Sequence, residues 1–328
     1  MMKTPLLSVK NLTIAYQSPS GSFAAVDHLS FSIKEGEIFA LVGESGCGKS
    51  TAALGFMRLV PEPGSICSGE IEFEGRDLLS LPEKEMEKVR GRRMGMIFQN
   101  PLDSLNPVYT VGNQIQEAVV LDKITKKEGM KKAIELLRDV RISDPSHRAS
   151  NFPHELSGGM RQRVMIGMML SRNPKLLIAD EPTTALDVTI QAQILDLCKD
   201  LKEKYGTSIL IITHDFGIVA EIADKVGVMY AGKLVEVGEV FKIFDQPLHP
   251  YTRLLMKALP QTSKKEGRLK TIPGTVPNLM NPPTGCRFHP RCPFTEQICR
   301  EKAPPMESGG EDHYFACHRK EAENGSHT

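Results

Sequence analysis

Gly43-Glu-Ser-Gly-Cys-Gly-Lys-Ser-Thr51 fits G-x-x-x-x-G-K-[ST], the loop that wraps phosphates in main-chain N–H groups. Gly43, Gly46 and Gly48 allow backbone angles that turn successive amides inward on an anion. Glu44, Ser45 and Cys47 fill the variable positions, and Cys47 is read as a bland filler. Lys49 adds a mobile positive charge, and Ser50 a hydroxyl suited to Mg²⁺. A helix opening near Thr51 turns its partly positive N-terminus toward the phosphates. Residues 36–42 before the loop read as a short buried strand, and residues 52–59 after it as a helix. The stretch therefore predicts a nucleoside triphosphate site in an α/β fold.

Outward from the loop, residues 7–16 alternate well enough for a strand, as do 29–33 and 69–73, and these read as an antiparallel flank. Leu176-Leu-Ile-Ala179 and Ser208-Ile-Leu-Ile-Ile212 are short continuous apolar runs, the pattern of strands buried on both faces of a parallel sheet. Residues 229–235 read as a hairpin turning at Ala231-Gly232. Met130, Ala133, Ile134, Leu137 and Val140 recur at helical steps and mark a helical insertion. A helical stretch over 240–259 leads into a tail rich in Pro, Gly and Cys, too irregular for ordinary secondary structure and expected to need a metal to fold. Residues 320–328 read as frayed.

Bulk composition identifies no partner. The 328 residues carry 41 Lys and Arg against 40 Asp and Glu, so no broad basic field argues for nucleic acid or a lipid surface. No run of about 18 apolar residues and no leader pattern occurs, so any service to a membrane goes through docking on other subunits.

Asp180 ends the apolar run at 176–179 and Glu181 follows, which places both carboxylates at a strand's C-terminal edge, where open α/β sheets bind ligands. Asp180 is suited to Mg²⁺, held through water, and Glu181 to polarising the water that attacks a γ-phosphate. Leu156-Ser-Gly-Gly-Met160 then caps a helix, a second anion-binding N-terminus with the Ser157 hydroxyl and the Gly158 and Gly159 amides as donors. Two phosphate sites in different elements are hard to explain within one protomer.

Leu-Ser-Gly-Gly resembles the signature of the ATP-binding cassette (ABC) family, in which one subunit's signature closes over another's phosphate loop. The resemblance runs over about residues 5–240, with a helical subdomain inserted at about 100–172. It implies a P-loop ABC ATPase with a mixed core sheet and an antiparallel β flank. Tyr16 then matches the aromatic residue that stacks on adenine. Gln99 matches the glutamine that senses the γ-phosphate and Mg²⁺, and His214 the switch histidine at the γ-phosphate. Ala185-Leu186-Asp187 resembles the loop by which two such domains touch. Catalytic roles are thus expected for Glu181, His214, Gln99 and Lys49, and Mg²⁺ is expected at Ser50, Gln99 and Asp180.

Asn100-Pro-Leu-Asp-Ser-Leu-Asn-Pro107, Met160-Arg-Gln-Arg-Val-Met165, His249-Pro-Tyr-Thr252 and Ile272-Pro-Gly274 extend the resemblance to the D-type ATPases of bacterial dipeptide and oligopeptide importers. Such a protein hydrolyses ATP on the cytoplasmic side of the membrane to drive import. Its implied partners are a second ATPase, paralogous and F-type, two membrane-spanning permeases and an extracytoplasmic binding protein. The segment from Gln99 through Asn106 and the following helices are expected to form the groove that receives a permease's coupling helix. The same architecture also serves nickel chelates and glutathione-like solutes. A soluble cassette acting in repair or translation is a further alternative, as is a sensor that uses ATP only as a switch.

Cys286, Cys292, Cys299 and Cys317 crowd the extension at 241–328, separated by five, six and seventeen residues. Four thiolates suit a tetrahedral zinc or an iron–sulfur cluster, and the wide spacing favours the larger group. The importer resemblance points the same way, to a [4Fe-4S] cluster, with Zn²⁺ or unmetallated thiols as alternatives. His289, His313 and His318 are possible spare ligands.

Overall fold

A computed structural model describes residues 4–19, 21–99, 105–120, 124–184, 186–258 and 272–319. Two compact units form: one from residues 1–33, 39–79 and 213–328, the other from 34–38 and 80–212.

In the first unit β1 (Leu7–Ser18) lies between β2 (Gly21–Ile33) and β4 (Gly64–Phe73), antiparallel to both, and β5 (Arg76–Asp77) edges β4. This is the antiparallel flank read from the alternating segments. A second layer starts from β3 (Ile38–Val42), whose five residues are all buried. It runs parallel to β9 (Lys225–Tyr230), which turns back antiparallel into β10 (Lys233–Glu239). Ala231 and Gly232 take φ of 45° and 84°, the left-handed pair that a two-residue hairpin needs. The phosphate loop follows β3 and opens the helix Lys49–Phe56. Phe31 stacks on Phe39 with ring centres 4.7 Å apart and meets Phe56 edge-on, so β2, β3 and this helix share one core.

The region after β10 differs from expectation. The helical stretch at 240–259 is two helices, Val240–Asp245 and Pro250–Lys257, because two prolines fall in the interval. Pro250 lacks an N–H and suits only a first turn, which His249 caps by accepting the Tyr251 N–H at 3.1 Å. Nor is the tail free of regular structure. It forms a helix at Gln297–Glu301 and a hairpin of β11 (Glu307–Gly310) and β12 (His313–Phe315), with β12 pairing on β10. Residues 259–271 and 320–328 lie outside the described residues.

In the second unit β6 (Met94–Ile97), β7 (Leu176–Asp180) and β8 (Ser208–Thr213) run parallel, and every residue of each is buried, as the unbroken apolar runs require. Helices Val111–Val120, Lys126–Asp139 and Gly158–Leu170 supply the helical part. Thr125 and Glu128 form a reciprocal capping box at the second of these. Its buried face is Gly129, Ala133, Leu136 and Leu137, with Met130 and Ile134 only half-buried, so the apolar stripe is turned slightly from the one read in sequence. Among the described residues no helix is long and apolar enough to cross a membrane.

Candidate functional site

The phosphate loop is shaped by close approach. A Cβ on Gly43 would lie 2.2 Å from the Met229 carbonyl oxygen, and one on Gly48 2.2 Å from that of Ala25. Both positions exclude every other side chain. Gly48 is the helix N-cap and gives no side-chain cap, which leaves the first-turn amides to a ligand. Lys49 is buried, and its ammonium donates to the carbonyls of Gly43 at 2.8 Å and Glu44 at 3.1 Å. Ser45 and Gly46 are exposed at the loop tip, with Ser50 and Thr51 half-buried. Cys47 is fully buried, and burial pushes its thiol pKa up, in keeping with a filler rather than a ligand.

Sequence reasoning missed how this loop is held. Glu44 receives a two-pronged ion pair from Arg291, at 2.6 and 3.0 Å, and donates its own N–H to the Tyr251 hydroxyl at 3.0 Å. Tyr251 and Tyr230 are fully buried against Phe288, with ring centres between 4.6 and 5.3 Å apart. Arg287 donates to Asp27 at 2.5 Å and to the Ala231 carbonyl, and Lys233 adds a second cation to Asp27 at 3.0 Å. Burial works to raise the Asp27 pKa, but hydrogen bonds from His28 and Lys233 and the nearby cations hold it below its ordinary value. The available signal lay among the tail cysteines, where Arg287 and Arg291 both fall between Cys286 and Cys292.

Tyr16 stacks on Phe23 with ring centres 5.8 Å apart and packs on Gly64, where a Cβ would lie 2.6 Å from the ring. His214 is exposed just beyond β8. Asp215, next to it, caps the helix Phe216–Ile222 by accepting the Gly217 N–H at 2.7 Å.

The second unit gathers a carboxylate constellation. Asp180 ends β7 and is buried, whereas Glu181 turns out of the strand with φ of 47°, a left-handed conformation costly for a side-chain-bearing residue. Its N–H donates to the Ile212 carbonyl at 2.9 Å. The Glu181 carboxylate accepts from the Gln99 amide at 3.0 Å and from the Thr184 hydroxyl at 2.8 Å. Thr184 carried no sequence signal of its own. Because Gln99 donates through Nε2, its amide oxygen is not used in that contact.

Ser157 caps the helix Gly158–Leu170 by accepting the Met160 N–H at 3.3 Å, so its oxygen is engaged while its O–H remains a donor. A Cβ on Gly159 would lie 2.8 Å from Ile190, which packs the signature turn on the helix Val188–Tyr205. Asp187 caps that helix by accepting the Ile190 N–H at 2.9 Å. Ala185 and residues 100–104 lie outside the described residues.

Residues 26–184 match the family described as ABC transporter. The oligopeptide transport ATP-binding protein OppD of Bacillus subtilis is 52% identical over 314 residues, covering 95% of this chain and 88% of that protein. The chain belongs to the ABC transporter family. As an ABC protein it is an ATP-hydrolysing transporter subunit, and Mg²⁺ accompanies ATP throughout this fold. Ser50 in the first unit, and Gln99 and Asp180 in the second, each carry a hard oxygen donor of the kind Mg²⁺ takes. Residues 235–299 of the ABC protein match a second family, oligopeptide/dipeptide transporter, C-terminal region. The dipeptide transport ATP-binding protein DppD of Escherichia coli is 46% identical over 317 residues, covering 95% of this chain and 96% of that protein. Among solved structures, a dimeric post-hydrolysis state of the cassette MJ0796 with ADP and Pi is 27% identical at a TM-score of 0.64, over 71% of this chain and 98% of that one. The cbiO1 protein from Clostridium perfringens is 30% identical at 0.65, over 74% of this chain and 92% of that one.

The [4Fe-4S] expectation is corrected, and the zinc alternative with it. Among the described residues no group of three or more His, Cys, Asp or Glu is gathered to hold a metal ion, and Cys286, Cys292, Cys299 and Cys317 are free thiols. The relatives above are named simply as ATP-binding proteins. The physical reason is twofold. Burial pushes the Cys286 thiol up to about 11 and raises those of Cys292 and Cys317, which disfavours the thiolates that ligate metals. The tail also has other support: Phe288 among the tyrosines, the two arginines, and β12 on β10.

Proposed function

We propose that this ABC protein energises uptake of di- or oligopeptides, in an assembly with a second, F-type ATPase, two permeases and an extracytoplasmic binding protein. The match of residues 235–299 to the oligopeptide/dipeptide C-terminal family carries the reading. The peptide-transport names of the relatives support it. The cassette takes about residues 5–240 with the helical subdomain at 100–172, and the extension takes 241–328. The chain works peripherally at the cytoplasmic side of the membrane. Phe98, Val108 and Tyr109 are exposed apolar residues of the second unit, which supports this region as the seat of a permease helix.

At the nucleotide, the amides of residues 43–51 and the Lys49 ammonium bind the phosphates and Tyr16 stacks on adenine. Mg²⁺ is assigned to Ser50, Gln99 and Asp180, and when bound it offsets phosphate charge. Glu181 takes the proton of the attacking water, with Gln99 and Thr184 orienting its carboxylate. His214 contacts the γ-phosphate. Ser157, Gly158, Gly159 and Asp187 act on the nucleotide of the partner ATPase.

The test is Glu181→Gln in the assembled complex, alongside labelled peptide uptake by a strain lacking this chain. Hydrolysis is expected to fall about 10²- to 10⁴-fold with ATP binding kept, and peptide uptake should return only with the wild-type chain. Full turnover would remove Glu181 from its role. Normal peptide uptake beside lost nickel or glutathione uptake would move the substrate class.

A further inference from the structure

We propose that the C-terminal region is a brace that sets the nucleotide affinity of the phosphate loop, with Arg291 as its positioning residue. The inference rests on the ATP-hydrolysing activity and not on which solute is moved. Glu44 stands inside the loop, directly after Gly43, and both its main chain and its side chain are held from residues far along the sequence. Tyr251 takes its N–H, and Arg291 grips both carboxylate oxygens across 247 positions of sequence.

Arg291 is itself fixed. Its side chain is 5% exposed against 27% for Glu44, so the brace is the buried partner and the loop the exposed one. Nε donates to the Pro273 carbonyl at 2.9 Å and Nη1 to the Tyr230 hydroxyl at 3.3 Å, and the guanidinium lies 5.7 Å from the Tyr230 ring centre. A planar fork so anchored holds a carboxylate in one orientation, which a lysine ammonium cannot do.

Two consequences follow for ATP. The first is geometric: the Lys49 ammonium bonds the Glu44 carbonyl, so pinning Glu44 fixes the lysine and the adjoining amides before a ligand arrives. The second is electrostatic. A bare carboxylate within a phosphate loop repels the triphosphate, and Arg291 cancels that charge where it stands.

The experiment uses the full-length chain, with a fluorescent ATP analogue for affinity and the assembled complex for KM and kcat. Arg291→Gln is expected to weaken nucleotide binding about ten-fold, in Kd and KM with kcat nearly unchanged. Arg291→Lys should recover part of the loss by restoring charge without the fork. In a Glu44→Gln background, Arg291→Gln should change affinity by less than about two-fold, because the charge that Arg291 masks is gone. If Arg291→Gln does not fold, Arg291→Lys, with and without the Glu44 carboxylate, carries the same comparison. Arg319→Gln, in the tail and ion-paired with Glu296, should bind nucleotide as wild type does. Wild-type affinity in Arg291→Gln would overturn the proposal, and so would an equal loss with and without the Glu44 carboxylate.

Discussion

The phosphate loop and the cysteine-bearing tail meet at Glu44 and Arg291, yet they are built on opposite terms. In the loop, a lysine is buried on two main-chain carbonyls, a helix starts without a side-chain cap, and two glycines stand where any Cβ would collide. None of these favours the folded chain by itself; each prepares a place for phosphate. In the tail, arginines find carboxylates, aromatic rings find one another, and a hairpin completes a sheet edge. The comparison teaches that loop residues serve a ligand while tail residues serve the loop.

Phe288→Ala tests the tail side and should have the largest effect. Phe288 is 1% exposed and packs on Tyr230, Tyr251 and His249, so its loss leaves a cavity among those rings. About 3–5 kcal/mol of stability should go, measured by denaturant unfolding, with weakened nucleotide binding as a secondary effect. A variant as stable as wild type would show that the aromatic cluster does not hold the tail.

Lys49→Ala tests the other side, and its pattern should be reversed. ATP affinity should fall about a hundred-fold through lost charge-assisted bonds, while Tm stays the same or rises, since a buried ammonium on neutral carbonyls is removed. A large drop in Tm without nucleotide would mean that the loop, too, is built for stability.

What could be read in the sequence divides along the same line. The loop, the buried strands and the Ala231-Gly232 turn were legible because their chemistry is local: glycines at fixed spacing, unbroken apolar runs, a left-handed pair. That Asp180 ends a buried strand and Glu181 follows just beyond it was legible from the apolar run at 176–179. The brace was not, because Glu44 and Arg291 are 247 positions apart and nothing near either names the other. The cysteines drew attention to the right segment for the wrong reason. Their spacing suggests ligands, but the contacts belong to the arginines and the phenylalanine between them. The helical stretch read over 240–259 is helical, but Pro247 and Pro250 break it into two helices.

His249 gives the C-terminal region a pH dependence. Burial brings its pKa down from 6.5 to about 4, with Glu236 opposing and Arg253 assisting. The folded protein therefore holds the neutral ring while the unfolded chain takes up a proton below about 6.5. Stability is complete above that value and is lost as pH falls toward 4, by about 2 kcal/mol at pH 5. His249→Asn keeps an acceptor for the Tyr251 N–H but cannot titrate. Its Tm should fall less than that of wild type between pH 7 and 5, and equal slopes would remove His249 as the cause.

Cys292→Ser should have the smallest effect and divides the two accounts of the tail most sharply. The Cys292 side chain is half-buried, and burial keeps its thiol protonated. The bonds that order the turn use its carbonyl, which accepts from the Thr295 hydroxyl at 2.9 Å and from the Thr295 N–H at 3.3 Å, and serine leaves both in place. A hydroxyl can also replace the weak contacts of the sulfur, so the cost should stay under about 1 kcal/mol by denaturant unfolding. Were the tail held by its thiols, losing one of four would unravel it and the cost would approach that of Phe288→Ala. Equal costs for the two variants would therefore return the tail to its cysteines, whereas a several-fold difference leaves it to the aromatic cluster and the arginines that reach the loop.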